Sequence, residues 1–166
     1  PGDYMHKVME KGRPVFETHS EGETDSFGAV AGRLAVRGLF VALCGELGSG
    51  KTVFARGMAR GLGCRGRVTS PTFQLVREYQ GSDLRLFHFD FYRLGSEGEA
   101  VDLDIEYCLE QGVVAAEWSD RFPGLEWPDT ITVRLEWAGE TDRRIEIAAA
   151  EGAGTGVLDG MLREID

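Results

Sequence analysis

The chain has 166 residues, 42% of them hydrophobic, which suits one domain with its own core. No apolar run approaches bilayer-spanning length and the first dozen residues form no hydrophobic signal region, so the expected location is cytoplasmic with no membrane role. A formal net charge of −10 argues against tight, direct binding to a nucleic-acid backbone, while leaving room for one locally positive pocket.

Residues 1–12 are polar and charged and read as a disordered extension or a cloning remnant, with a single domain over 13–166. Thr24 or Asp25 can cap a helix whose apolar positions Phe27, Val30, Ala31, Leu34 and Ala35 make a one-face stripe, ended by Gly38. Leu39 to Cys44 is a continuous apolar run, as in a strand buried on both faces. A glycine-rich loop follows. A second helix then starts near Lys51 with Phe54, Met58 and Leu62 on one side, and stops at Gly63.

Phe73 to Tyr79 and Leu84 to Asp90 predict a hairpin around Gly81-Ser82-Asp83. Glu97 to Leu109 predicts one helix. Val113 to Ala116 is a short buried strand ending at Glu117. Ile131 to Trp137 and Arg144 to Ala148 predict a second hairpin, residues 151–156 a linker, and Val157, Leu158, Met161, Leu162 and Ile165 a closing amphipathic helix. Strands and helices mixed in this way predict an α/β domain, of the P-loop NTPase-like three-layer type with a mixed central sheet. Cys44, Cys64 and Cys108 are too scattered for a disulfide framework, and with His6, His19 and His88 they encode no metal cluster.

The loop Gly45-Glu46-Leu47-Gly48-Ser49-Gly50-Lys51-Thr52 meets the pattern G-x-x-x-x-G-K-S/T in full. Glycines let backbone N–H groups turn inward around phosphate oxygens, and the following helix presents its free N–H donors to the same anion. Lys51 supplies a mobile full charge to the terminal phosphates, and the Thr52 hydroxyl suits Mg2+, a hard cation that prefers oxygen. The apolar strand before the loop and the periodic helix after it are the context this chemistry requires. An acid at a strand end would complete the site. Asp90 and Glu117 both qualify, and the sequence does not apportion their roles. Asparagine is absent and Lys51 is the last of only three lysines, so the Asn- or Thr-Lys-x-Asp element of guanine-specific proteins cannot be built; ATP is favoured.

Together, the loop, Arg56-Gly57, Val68-Thr-Ser-Pro-Thr-Phe73, His88-Phe-Asp-Phe-Tyr-Arg93 and Glu117-Trp118 resemble the TsaE (YjeE) family of bacterial P-loop ATPases, from about Ser20 to Glu140. The resemblance implies slow hydrolysis of Mg-ATP in support of threonylcarbamoyl transfer to a tRNA adenosine by TsaB and TsaD partners, with tRNA met only indirectly. It implies Lys51, Asp90 and Glu117 as catalytic residues, with Thr52, Glu117 and Asp90 at the metal. Gly45, Gly48, Ser49, Gly50, Lys51, Thr52, Val53, Thr72 and Glu21 would bind nucleotide, Glu21 near the adenine, and Arg93 would share the active face. Glu46, Ser49 and Val53 replace the family's usual aspartate, alanine and threonine. Two other readings stay open: a small-molecule kinase with Asp90 as base, for which Arg65, Arg67, Arg77 and Arg93 are scattered lid candidates, and a nucleotide-gated interaction module. Gly57 and Gly61 suit close packing, His88 a structural strand position, and Trp127 and Trp137 packing.

Overall fold

The computed structural model describes residues 6–68, 76–150 and 152–165. Strand β1 (His6–Glu10) pairs antiparallel with β2 (Arg13–Thr18), and α1 (Glu21–Leu34) leads to the wholly buried β3 (Phe40–Cys44) and α2 (Lys51–Gly61). After β4 (Arg67–Val68) come β5 (Val76–Gln80) and β6 (Arg85–Asp90), then α3 (Glu97–Val101), α4 (Ile105–Gln111) and β7 (Gly112–Glu117). Strands β8 (Thr130–Trp137) and β9 (Arg143–Ala149) and helix α5 (Ala153–Ile165) close the chain.

Among the described residues all nine strands join one mixed sheet in the order β1-β2-β9-β8-β3-β7-β6-β5-β4. Its centre is parallel, with β3 between β7 and β8 and β6 beside β7; the remaining pairings are antiparallel. Period-two alternation sends Val41, Leu43, Val113 and Ala115 to one core, packed under α1, α2 and α5, and sends Phe40, Ala42, Val114 and Ala116 to a second core that includes Ala100, Ile105 and Cys108. Three layers result, as expected for the α/β class. The central strands are apolar throughout because both of their faces are covered.

Helices α1 and α2 meet backbone to backbone. A Cβ on Gly28 or Gly32 would lie 2.3 or 2.2 Å from the carbonyl oxygens of Phe54 and Met58, and one on Gly57 or Gly61 would lie 2.1 Å from those of Asp25 and Ala29. Only glycine allows this approach, as expected for Gly57 and Gly61. It fixes α2, and so the loop at its N-terminus, against the rest of the layer. Arg60 hydrogen-bonds Asp25 at 2.6 Å across the same seam.

Four expectations are corrected. Residues 6–12 are not a disordered extension: β1 and β2 form a hairpin across Lys11 and Gly12, both at positive φ, a two-residue turn that matches strand twist. Ser20 rather than Thr24 or Asp25 caps α1. Its hydroxyl accepts from Glu23 N while Glu23 Oε1 accepts from His19 N, a reciprocal cap that leaves Thr24 inside the helix, bonded to Thr18 at 2.7 Å. The helix expected over 97–109 divides in two, because Asp104 adopts φ 55 and caps α4 with its own carboxylate. The linker expected at 151–156 is already helix from Ala153, held by Val157, Met161 and Ile165 in the core.

Cys44 and Cys108 are buried, and burial pushes both thiols up to about 11, so they behave as small apolar side chains. Among the described residues no helix is long and apolar enough to cross a membrane.

Candidate functional site

Strand β3 ends at Cys44, and the chain turns through Gly45, Gly48 and Gly50 at φ +144, +78 and +105 before α2 begins. Gly45 has a second constraint: an added Cβ would sit 2.4 Å from the Leu135 carbonyl. Gly50 caps α2 without a side-chain hydrogen bond, so no side chain competes for the N–H groups of the first turn.

Beside this turn lies a cavity of about 420 Å3. Glu21, Gly48, Gly50, Lys51, Thr52, Val53, Asp90 and Glu117, all expected at the site, line it. Gly45 and Ser49 line an adjoining cavity behind the loop. Arg93 is exposed and is absent from the walls of the first cavity. Thr72 lies outside the described residues.

Lys51 is 4% exposed. Its Nζ donates to the carbonyls of Gly45 (2.5 Å) and Glu46 (2.9 Å) and stands 4.0 Å from the centre of the Trp118 ring. Burial lowers its pKa from the ordinary lysine value, opposed by the charges of Glu117, Asp120 and Asp90. Because β6 and β7 run parallel in register, Asp90 and Glu117 stand side by side at their carboxyl ends. Their surroundings differ. Asp90 is half-buried, and among the described residues it accepts the Tyr92 N–H, at 3.0 Å. Glu117 is buried, with the Thr52 hydroxyl 3.0 Å from each carboxylate oxygen and His88 Nε2 2.5 Å from Oε2. Burial alone would raise the Glu117 carboxyl, but the hydrogen bond and charge of His88, the Thr52 hydroxyl and the Lys51 ammonium together hold it below its ordinary value.

The geometry also brings in residues that sequence reasoning missed. Arg143 donates from Nε to Ser49 O (3.1 Å) and from Nη2 to Gly48 O (3.2 Å), while Nη1 reaches Gly139, Glu140 and Asp142 carbonyls. Trp137, expected only to pack, donates its indole N–H to Gly48 O at 3.1 Å. The β8–β9 hairpin thus grips the loop by its carbonyls, and Glu140 and Thr141 join the cavity wall. Arg121 binds the carbonyls of Phe91, Tyr92 and Leu94 and braces the turn that follows Asp90. No local signal announces these contacts, because arginine and tryptophan beside a hairpin are commonplace. Ser49 is fully buried, and among the described residues its hydroxyl has no hydrogen-bond partner.

The family model described as "Threonylcarbamoyl adenosine biosynthesis protein TsaE" matches residues 18–145, a span that runs from β2 through the loop, both acids and Arg143. The chain belongs to the TsaE family. Relatives named "tRNA threonylcarbamoyladenosine biosynthesis protein TsaE" include one from Treponema pallidum, 39% identical over 133 residues, which cover 79% of this chain and 97% of that protein. Another, from Bacillus subtilis, is 36% identical over 76% of this chain and 80% of its own length. Among solved structures, Bacillus subtilis YdiB superposes with a TM-score of 0.72 at 26% identity, covering 98% of both chains. The TsaE match spans the whole candidate site and leaves out β1, all of β2 but Thr18, the end of β9 and α5.

Proposed function

We propose that this protein is an accessory ATPase that binds Mg-ATP in the cavity beside Lys51, hydrolyses it slowly, and acts in the cytoplasm with TsaB- and TsaD-like partners to sustain threonylcarbamoyl transfer to tRNA adenosine. The observation that carries the reading is Lys51: a buried ammonium, resting on two carbonyls of its own loop, beside a wall built from Thr52, Glu117 and Asp90. The donor set fits the ligands. Loop glycines at positive φ and an uncapped helix N-terminus offer backbone N–H groups to phosphate. Thr52, Glu117 and Asp90 are oxygen donors of the type Mg2+ prefers. Among the described residues no protein-only cluster of three acids, histidines or cysteines exists, and Mg2+ bound through phosphates requires none.

In this mechanism Lys51 exchanges the Gly45 and Glu46 carbonyls for phosphate oxygens, regaining in the anion what burial costs its charge. Thr52, Glu117 and Asp90 would hold Mg2+, which when bound neutralises charge on the terminal phosphates. Asp90, more exposed than Glu117, orients the attacking water. Arg143 and Trp137 keep the loop carbonyls turned back, so the amides face the cavity. Glu21 stands at the rim, paired with Arg56 at 2.8 Å, where it can border the base.

Calorimetric titration with ATP and Mg2+, followed by phosphate release, tests the reading. The wild-type chain binds and turns over slowly, faster with partners, whereas Lys51→Ala loses binding by at least about 100-fold while keeping its fold. ATP hydrolysis unchanged in Lys51→Ala would falsify it. ADP formation that depends on an added nucleoside or sugar would instead make the protein a small-molecule kinase with Asp90 as base. Nucleotide-dependent partner capture without turnover would make it a gated interaction module.

A further inference from the structure

His88 has no part in the mechanism above, yet among the described residues it makes the shortest hydrogen bond to Glu117. It is 6% exposed, and its Nε2 lies 2.5 Å from Glu117 Oε2. The sheet explains why the two meet. Leu86 on β6 and Val113 and Ala115 on β7 face the core beneath α2, and period-two alternation carries His88, Asp90 and Glu117 to that same face. In the parallel register His88 stands opposite Ala115, two residues short of Glu117. The methyl group of Ala115 leaves the space through which the imidazole leans toward the end of β7. A surface strand histidine would have no reason to be buried here. An apolar residue would fill the space but would not hold the acid.

We infer that His88 is a positioning residue: its Nε2–H fixes Oε2 of Glu117 so that the carboxylate is already aimed at Thr52 and the metal before nucleotide arrives. A glutamate has three rotatable bonds, and a buried one left with Thr52 as its only partner could swing toward the Lys51 ammonium. Tied at Oε2 by a side chain from a neighbouring strand, the carboxylate keeps both oxygens within 3.0 Å of the Thr52 hydroxyl. Lys51 is meanwhile committed to the loop carbonyls and the Trp118 face. The arrangement is a chain, His88 to Glu117 to Thr52, that runs from the sheet to the first turn of α2. It parallels the way outer partners orient metal-binding carboxylates elsewhere. Among the described residues Asp90 has no such side-chain partner, so the two acids differ in kind: one is pre-aimed, the other left to follow water.

This inference rests on the Mg-ATP reading above, and the test separates the two. Three variants are made: His88→Leu, close in volume but unable to donate; His88→Asn, whose amide falls at the Nδ1 position and stops short of Glu117; and His88→Gln, whose amide nitrogen reaches the Nε2 position. ATP binding is measured by calorimetry without metal and then across a Mg2+ series, with thermal melts to confirm folding. The expected result is unchanged metal-free ATP affinity in all three. Half-saturating Mg2+ rises about 10- to 100-fold in His88→Leu and His88→Asn, and returns to within about threefold of wild type in His88→Gln. Should His88→Leu fail to fold, His88→Asn and His88→Gln still decide. Wild-type Mg2+ dependence in the Asn variant overturns the inference. So does an equal loss of metal-free ATP affinity in all three variants, which would mark His88 as structural. If the wild-type chain binds no ATP under any condition, the Mg-ATP reading fails first, and the role of His88 falls with it.

Discussion

The glycines on either side of Lys51 are the same residue under opposite constraints. Gly45, Gly48 and Gly50 take backbone angles that side chains rarely adopt, at φ +144, +78 and +105, and Gly48 and Gly50 have room beside them. Gly57 and Gly61 have ordinary helical angles and no room, with an added Cβ only 2.1 Å from a carbonyl of α1. The first group shapes the loop that would hold phosphate. The second lets α2 lie against α1 closely enough to carry that loop as part of a rigid layer. One sets the site's shape and the other its place, so the two should fail in different ways.

Substitution can break or sharpen that contrast. Gly45→Ala brings a methyl group against the Leu135 carbonyl and shifts the loop, and nucleotide affinity should fall about 100-fold, since displacements on the order of 1 Å are enough for that. Gly57→Ala should do the reverse. In an open helix this change would stabilise by about 1 kcal/mol. Here overpacking should cost roughly 2–3 kcal/mol, lowering Tm, while the folded fraction keeps its ATP affinity within about threefold. Calorimetry paired with thermal melts reads both variants. If Gly57→Ala stabilises, or Gly45→Ala binds normally, the division of labour is wrong.

A smaller effect is expected at the grip on the loop. Arg143→Ala should weaken nucleotide binding about tenfold, the scale of one or two charge-assisted hydrogen bonds. Arg143→Lys should not restore it, because an ammonium cannot span Gly48 and Ser49 together with the hairpin carbonyls. Full rescue by lysine would show that charge alone matters. The smallest effect concerns acid. The Glu117 carboxyl lies below its ordinary value of 4.5 in the folded state, so its stabilising contribution is complete above about pH 4.5 and lost as pH falls through the lowered value. Glu117→Gln should therefore flatten part of the stability loss seen below pH 4.5 in denaturant titrations. Parallel acid profiles for the two proteins would contradict that.

Much of the site was legible because its chemistry is local. Gly45 to Thr52 are consecutive, and the apolar run before them and the periodic helix after them announce a strand–loop–helix unit without any tertiary knowledge. Asp90 and Glu117 were legible as acids closing apolar runs. Their difference was not, because a strand-end carboxylate looks the same in sequence whether it accepts one backbone N–H or is held by a histidine and a threonine. The N-terminal hairpin escaped notice because its residues are charged and short, and pairing to β9 supplies the support that local propensity does not.

What the sequence determined by itself is the α/β class, the buried central strands and the phosphate-shaped loop, since each depends on residue types within a few positions of one another. Tertiary structure alone decided that Arg143 and Trp137 hold the loop from about ninety residues away, that His88 reaches Glu117 on the neighbouring strand, and that Gly28 and Gly32 answer Gly57 and Gly61. Those contacts exist only once strand register and helix packing bring distant segments within a few ångströms, and no spacing along the chain encodes that distance.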